Sequence, residues 1–145
     1  MPQLSEHFSL AELTASSTAQ RLGIDNTPGL ETITHLTALA GGLEQVRKLL
    51  CAPIHIDSAY RSPALNTAVR GAKDSAHLQG FAADFVCPQF GTPQEIAKLI
   101  AKSSIVFDQL IQEGTWVHIS FAPKLRRQVL TAHFGAGGTT YSLGA

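Results

Sequence analysis

Long apolar runs are missing from this chain. No stretch approaches the roughly 20 consecutive apolar residues a bilayer-spanning helix needs, so no membrane insertion is expected. Cysteine is scarce: Cys51 and Cys87 alone are too few for a disulfide framework, and both stand in apolar contexts that read as small buried hydrophobes. A charge excess of either sign is absent too, since 11 basic residues balance 11 acidic ones. That balance lacks the electrostatic footprint of a nucleic-acid binder, and the short Lys124–Arg127 cluster reads as a solvated face. Partners are therefore sought among small or neutral substrates. Met1–His7 has neither a basic start nor an apolar run, so no secretory leader is expected and synthesis is placed in the cytoplasm. No internal repeat occurs, and 145 residues suit one domain, taken as a monomer.

What is present is a chain of short elements with clear punctuation. Ser9 with Glu12 three residues on has the form of a capping box, and Ser16-Ser17-Thr18 suggests a break before the turn-rich Gly23 to Gly29 loop, so residues 1–30 form a helical N-terminal region. Leu36, Leu39, Leu43, Val46 and Leu50 recur at spacings of three and four, one face of a long helix over 30–50. Gly41-Gly42 within it implies either a bend or the close approach of another element. After Pro53, residues 54–60 alternate as a half-buried strand, and Pro63 starts a short helix. Thr92-Pro93-Gln94-Glu95 is a second capping box, with Ile96, Leu99 and Ile100 as the core face of its helix. Residues 106–112 and 116–121 form a hairpin around Gly114, placing Val117, Ile119 and Phe121 on one face and Trp116, His118 and Ser120 on the other. A last strand is expected within 127–131, and residues 135–145 read as a flexible tail. Helices flanking a small, mostly antiparallel sheet make an α+β fold.

The chemistry centres on Ser75 to Asp84, where His77 and Asp84 stand with six residues between them and Gly80 permits the chain to bend. Imidazole nitrogen and carboxylate oxygen are zinc ligands, and His118, on the polar face of its strand, is the candidate third. Three ligands leave a position open for water, the arrangement of catalytic zinc. Glu113, five residues before His118, is the candidate base, and Arg61 offers a fixed positive charge for a substrate carboxylate or an oxyanion. Arg61 could instead pair with Asp57 or Asp74. Ser75, Gln109 and Ser120 are candidate substrate hydrogen-bonders, and Trp116 is a core or cleft-wall residue. His7, His35, His55 and His133 read as structural.

The strings Ser58–Asn66, Ser75–Asp84 and Trp116-Val117-His118 together resemble the M15 metallopeptidases, zinc D-Ala-D-Ala carboxypeptidases and related phage endolysins, in their M15A-like branch. The resemblance extends to residues 8–28. It implies a Hedgehog/D,D-peptidase type of fold, Zn2+ as cofactor with His77, Asp84 and His118 as ligands, and hydrolysis of an amide bond in peptidoglycan stem peptides. Arg61 falls on the family's substrate-binding arginine. Several relatives carry a Glu three residues before the last His, where this chain has Thr115; Glu113 matches the branch whose catalytic position lies five residues ahead. The alternatives are an L-Ala-D-Glu or cross-bridge endopeptidase and, in another class, a zinc-stabilised wall-binding module that does not cut. Without a leader, a lysis enzyme released by a holin or a virion component is expected.

Overall fold

The computed structural model describes residues 2–122 and 124–145. Its centre is the helix α3 (Leu30–Leu50), preceded by two short helices, α1 (Leu10–Thr14) and α2 (Ser17–Leu22). Ser9 caps α1 by accepting from the Glu12 N–H, and Ser16 caps α2 from the Ala19 N–H, which is the expected break. The five apolar positions spaced along α3 are all buried, as their periodicity requires. The paired glycines are resolved by contact: a Cβ on Gly42 would lie 2.5 Å from the Phe121 ring, whereas Gly41 faces open space. Close approach of Phe121 therefore explains Gly42.

Strand β1 (His55–Ser58) leads into α4 (Pro63–Ala68), capped by the Ser62 hydroxyl with Pro63 in its first turn. A 3-10 turn over Ala76–Gln79 precedes β2 (Ala82–Val86), and α5 (Pro93–Lys102) begins at a complete Thr92/Glu95 capping box. The hairpin β3 (Gln109–Gln112) and β4 (Val117–Ser120) follows, then β5 (Gln128–Gly135) and β6 (Gly138–Leu143). The six strands form one sheet in the order β1-β2-β4-β3-β5-β6, antiparallel throughout except for the parallel pair β3 and β5. This is the α+β architecture expected.

Strand alternation divides the sheet into two faces with different work. Ile56, Ala83, Phe85, Leu110, Val117 and Ile119 point to one face and join the α3 and α5 side chains in the core. Asp84, His118 and Ile111 are cross-strand partners on the other.

Three expectations need correction. Residues 138–143 are not a loose tail but β6, paired with β5 from Leu130↔Leu143 to Gly135↔Gly138, because β5 offers a free edge at hairpin distance. Cys51 is exposed: it ends α3 in the left-handed conformation, beyond the last buried turn, while Cys87 is buried. The Lys124–Arg127 cluster is not all solvated face. Arg127 donates to the carbonyls of Ala101, Ser103 and Ile105 and lies 4.7 Å over the Phe107 ring, and Arg126 pairs with buried Asp108 at 2.6 Å. No helix among the described residues is long and apolar enough to cross a membrane.

Candidate metal centre

Three separate elements bring the imidazoles and the carboxylate together. Asp84 lies mid-way along β2, directly opposite His118 on β4, so antiparallel register alone sets these two side chains side by side. His77 arrives from the 3-10 turn, whose N-terminus is capped by the Ser75 hydroxyl accepting from the His77 N–H at 3.2 Å. Gly80 ends that turn at φ 79°, the left-handed conformation that redirects the chain into β2. One ligand-type atom from each of His77, Asp84 and His118 lies within 4.8 Å of the other two. Asp84 Oδ1 is 3.3 Å from His77 Nε2 and 2.9 Å from His118 Nδ1.

The surroundings suit a cation. His77 Nδ1 lies 2.7 Å from the Ala59 carbonyl, a bond in which Nδ1–H donates and which turns Nε2 toward Asp84. Burial works against the Asp84 charge, yet His77 and His118 outweigh it and hold the carboxyl well below the ordinary carboxylate range. Two imidazole nitrogens and one carboxylate oxygen are the donor set of an open zinc site, and the residues present fit that ion.

Arg61 pairs with neither Asp57 nor Asp74. Its Nη2 donates to Asp84 Oδ2 at 3.4 Å, its Nε to Ser58 Oγ at 3.2 Å and its Nη1 to Asn66 Oδ1 at 3.2 Å. Asn66 is itself buried and donates to the Ala72 carbonyl, so the guanidinium is held in place from several sides. Burial lowers the Arg61 pKa, opposed by Asp84 and Glu113. A guanidinium has five N–H donors, so capacity remains for a group entering the cleft.

Glu113, at the end of β3, accepts from the Trp116 indole N–H at 2.7 Å. Its pKa is raised, first by burial and then by the charge of Asp84, with His118 and the indole opposing. A cleft of about 590 Å³ runs over these groups, with Ser75, Gln109, Trp116 and Tyr141 also in its walls. Ser75 is thus at the cleft, although its hydroxyl already serves His77. Gln109 is there too, bonded through its amide to Gln128 at 2.6 Å. Ser120 is a correction: its hydroxyl accepts from the Gln109 N–H, and the residue is fully buried, out of reach of a substrate.

Asn66, Asp108, Arg126 and Tyr141 are cleft or supporting residues that spacing did not single out. Asn66 closes the Ser58–Asn66 string and was the one with a visible signal. The other three depend on strand pairing between distant segments.

Two imidazoles and a carboxylate converging in a cleft beside a half-buried glutamate define a candidate metal-dependent hydrolase. The family comparison agrees: residues 6–120 match Peptidase M15, and the chain belongs to that family of metallopeptidases. Members are zinc-dependent, and the family points to peptidoglycan as substrate. No curated protein matches the chain.

Proposed function

We propose that this protein is a zinc peptidase that hydrolyses an amide bond in the stem peptide of peptidoglycan, of the D-Ala-D-Ala carboxypeptidase type. The observation that carries the reading is the convergence of His77, Asp84 and His118 in one cleft with Glu113 and Arg61. In this reading His77, Asp84 and His118 hold the ion. Zinc in such a centre supplies Lewis acidity, which polarises a carbonyl and makes water acidic near neutral pH.

Glu113 takes the proton of the attacking water and returns it to the leaving amine. Its burial supports that role, because a carboxylate whose pKa is raised both accepts and releases a proton more readily near neutral pH. The Trp116 N–H fixes the rotamer of Glu113 by holding one of its oxygens and leaves the other free. Arg61 first orients Asp84 through its second oxygen, and its remaining donors bind a substrate carboxylate. Ser75 orders the turn that presents His77. Gln109 contributes to the polar wall. The setting proposed is a lysis enzyme or virion component acting on the cell wall.

The test is cleavage of defined muropeptides followed by mass spectrometry. Wild-type protein with zinc is expected to release D-alanine from stems ending in D-Ala-D-Ala, and Glu113→Gln to retain zinc while losing roughly 10²- to 10⁴-fold in turnover. Release of larger fragments would identify an L-Ala-D-Glu or cross-bridge endopeptidase instead. Full activity of Glu113→Gln would remove Glu113 from the mechanism.

A further inference from the structure

The sheet face that carries Asp84 and His118 continues beyond them. Cross-strand partners run in one row from Asp84 through His118 and Ile111 to Leu130 and Leu143. Residues two apart on a strand share a face, so Ala132, Phe134 and Tyr141 belong to it as well. Its outer end is uncovered, with Phe134 60 % exposed, Tyr141 53 % and Leu143 86 %.

Apolar side chains on a solvated hairpin are common and by themselves signify little. Two observations join this one to the cleft. Tyr141 lines the same cleft as Arg61, His77 and His118. Its phenol is close enough to Glu113 that, after partial burial, the carboxylate charge is what raises its pKa. The segment it stands on also differs in kind from the rest of the lining: residues 128–145 contain no Asp, Glu, Lys or Arg, whereas Arg61, Asp74, Asp108 and Arg126 line the same cleft. The hairpin lies outside the matched residues 6–120.

We propose that Tyr141, carried to the substrate cleft by the β5 and β6 hairpin, is an uncharged part of its wall and a specificity-determining residue. Its ring packs on an uncharged stretch of the peptide, a methyl side chain with its flanking amides, on the Glu113 side of the scissile bond. An aromatic ring with few rotatable bonds supplies such contact at small entropic cost. Arg61 meanwhile takes the carboxylate, so the two residues sort the substrate by polarity. This inference rests on the peptidase reading of the cleft.

The experiment compares zinc-loaded wild type with Tyr141→Ala, Tyr141→Phe and Thr139→Ala, the last an exposed position of the same strand outside the cleft. Steady-state cleavage of defined muropeptides gives kcat and KM. In parallel, fluorescence of Trp116, the sole tryptophan and a cleft-wall residue, gives Kd. Contact shared by the ground and transition states appears in KM rather than kcat. Tyr141→Ala is expected to raise KM and Kd roughly tenfold with kcat within about twofold, while Tyr141→Phe and Thr139→Ala match wild type. Wild-type KM and Kd in Tyr141→Ala overturn the inference, as does an equal loss in Thr139→Ala or a fall in zinc content. Wild type that binds muropeptides without cutting them refutes the peptidase reading alone, and the Kd series still decides the role of Tyr141.

Discussion

Glu113 sits where a carboxylate is least comfortable, half-withdrawn from water and near the Asp84 charge. Its folded-state pKa lies above its ordinary value, so the native state favours the protonated form. The stability this gives is fully present below the ordinary carboxylate pKa and is lost as pH rises through the raised folded value. Glu113→Gln keeps an acceptor for the Trp116 N–H and cannot ionise. The zinc-free variant is therefore expected to melt at a higher temperature than zinc-free wild type at neutral pH, with the gap closing in acid. Thermal melts at several pH values check this, and a variant less stable at neutral pH would contradict it. The trade of stability for a usable base is what a catalytic position demands. Asp84 shows the opposite condition, since its imidazole neighbours keep it ionised despite deeper burial. His77, Asp84 and His118 were legible in the sequence because each stands in a short local pattern. Ser120 misled because strand alternation says which face a side chain takes and not whether that face is covered at that point.

At the scale of elements, α3 gives the clearest account of what sequence can and cannot resolve. Its apolar spacing specified the buried face, but the reason for Gly41-Gly42 lies in Phe121, a residue far along the chain that local pattern cannot anticipate. The two glycines should separate on substitution. Gly41→Ala, facing solvent, is expected to stabilise by up to about 1 kcal/mol through helix propensity. Gly42→Ala drives a methyl into the Phe121 ring and is expected to destabilise by about 1–3 kcal/mol. Chemical denaturation of both variants measures the difference, and equal effects would mean that Phe121 does not press on the helix. The β5 and β6 hairpin makes the same point. Gly135-Ala136-Gly137-Gly138 is a turn composition that reads equally as a loose end, and the strand after it is stabilised by pairing with β5 rather than by burial. Parallel pairing of β5 with β3 across the chain then brings Tyr141 and Arg126 to the cleft, a placement that no local spacing encodes.

The whole molecule is a sheet with its core on one face and its chemistry on the other. Helices α3 and α5 fill the first with side chains, and the second holds polar groups that neutralise and orient one another. The charge balance fits this plan: the cleft needs a few fixed charges, and the rest of the surface no net field. The proposed ligands come from the 3-10 turn, β2 and β4, so an ion held by all three ties these elements together and stabilises the fold in proportion to its affinity. On the proposed reading this ion is zinc, and cleavage depends on it. The most direct test is to strip the protein with a chelator, assay muropeptide cleavage, and titrate zinc back. The stripped protein is expected to show no cleavage and to recover fully at one zinc per chain, with no recovery in His118→Ala. Cleavage that persists after the metal is removed would contradict that reading.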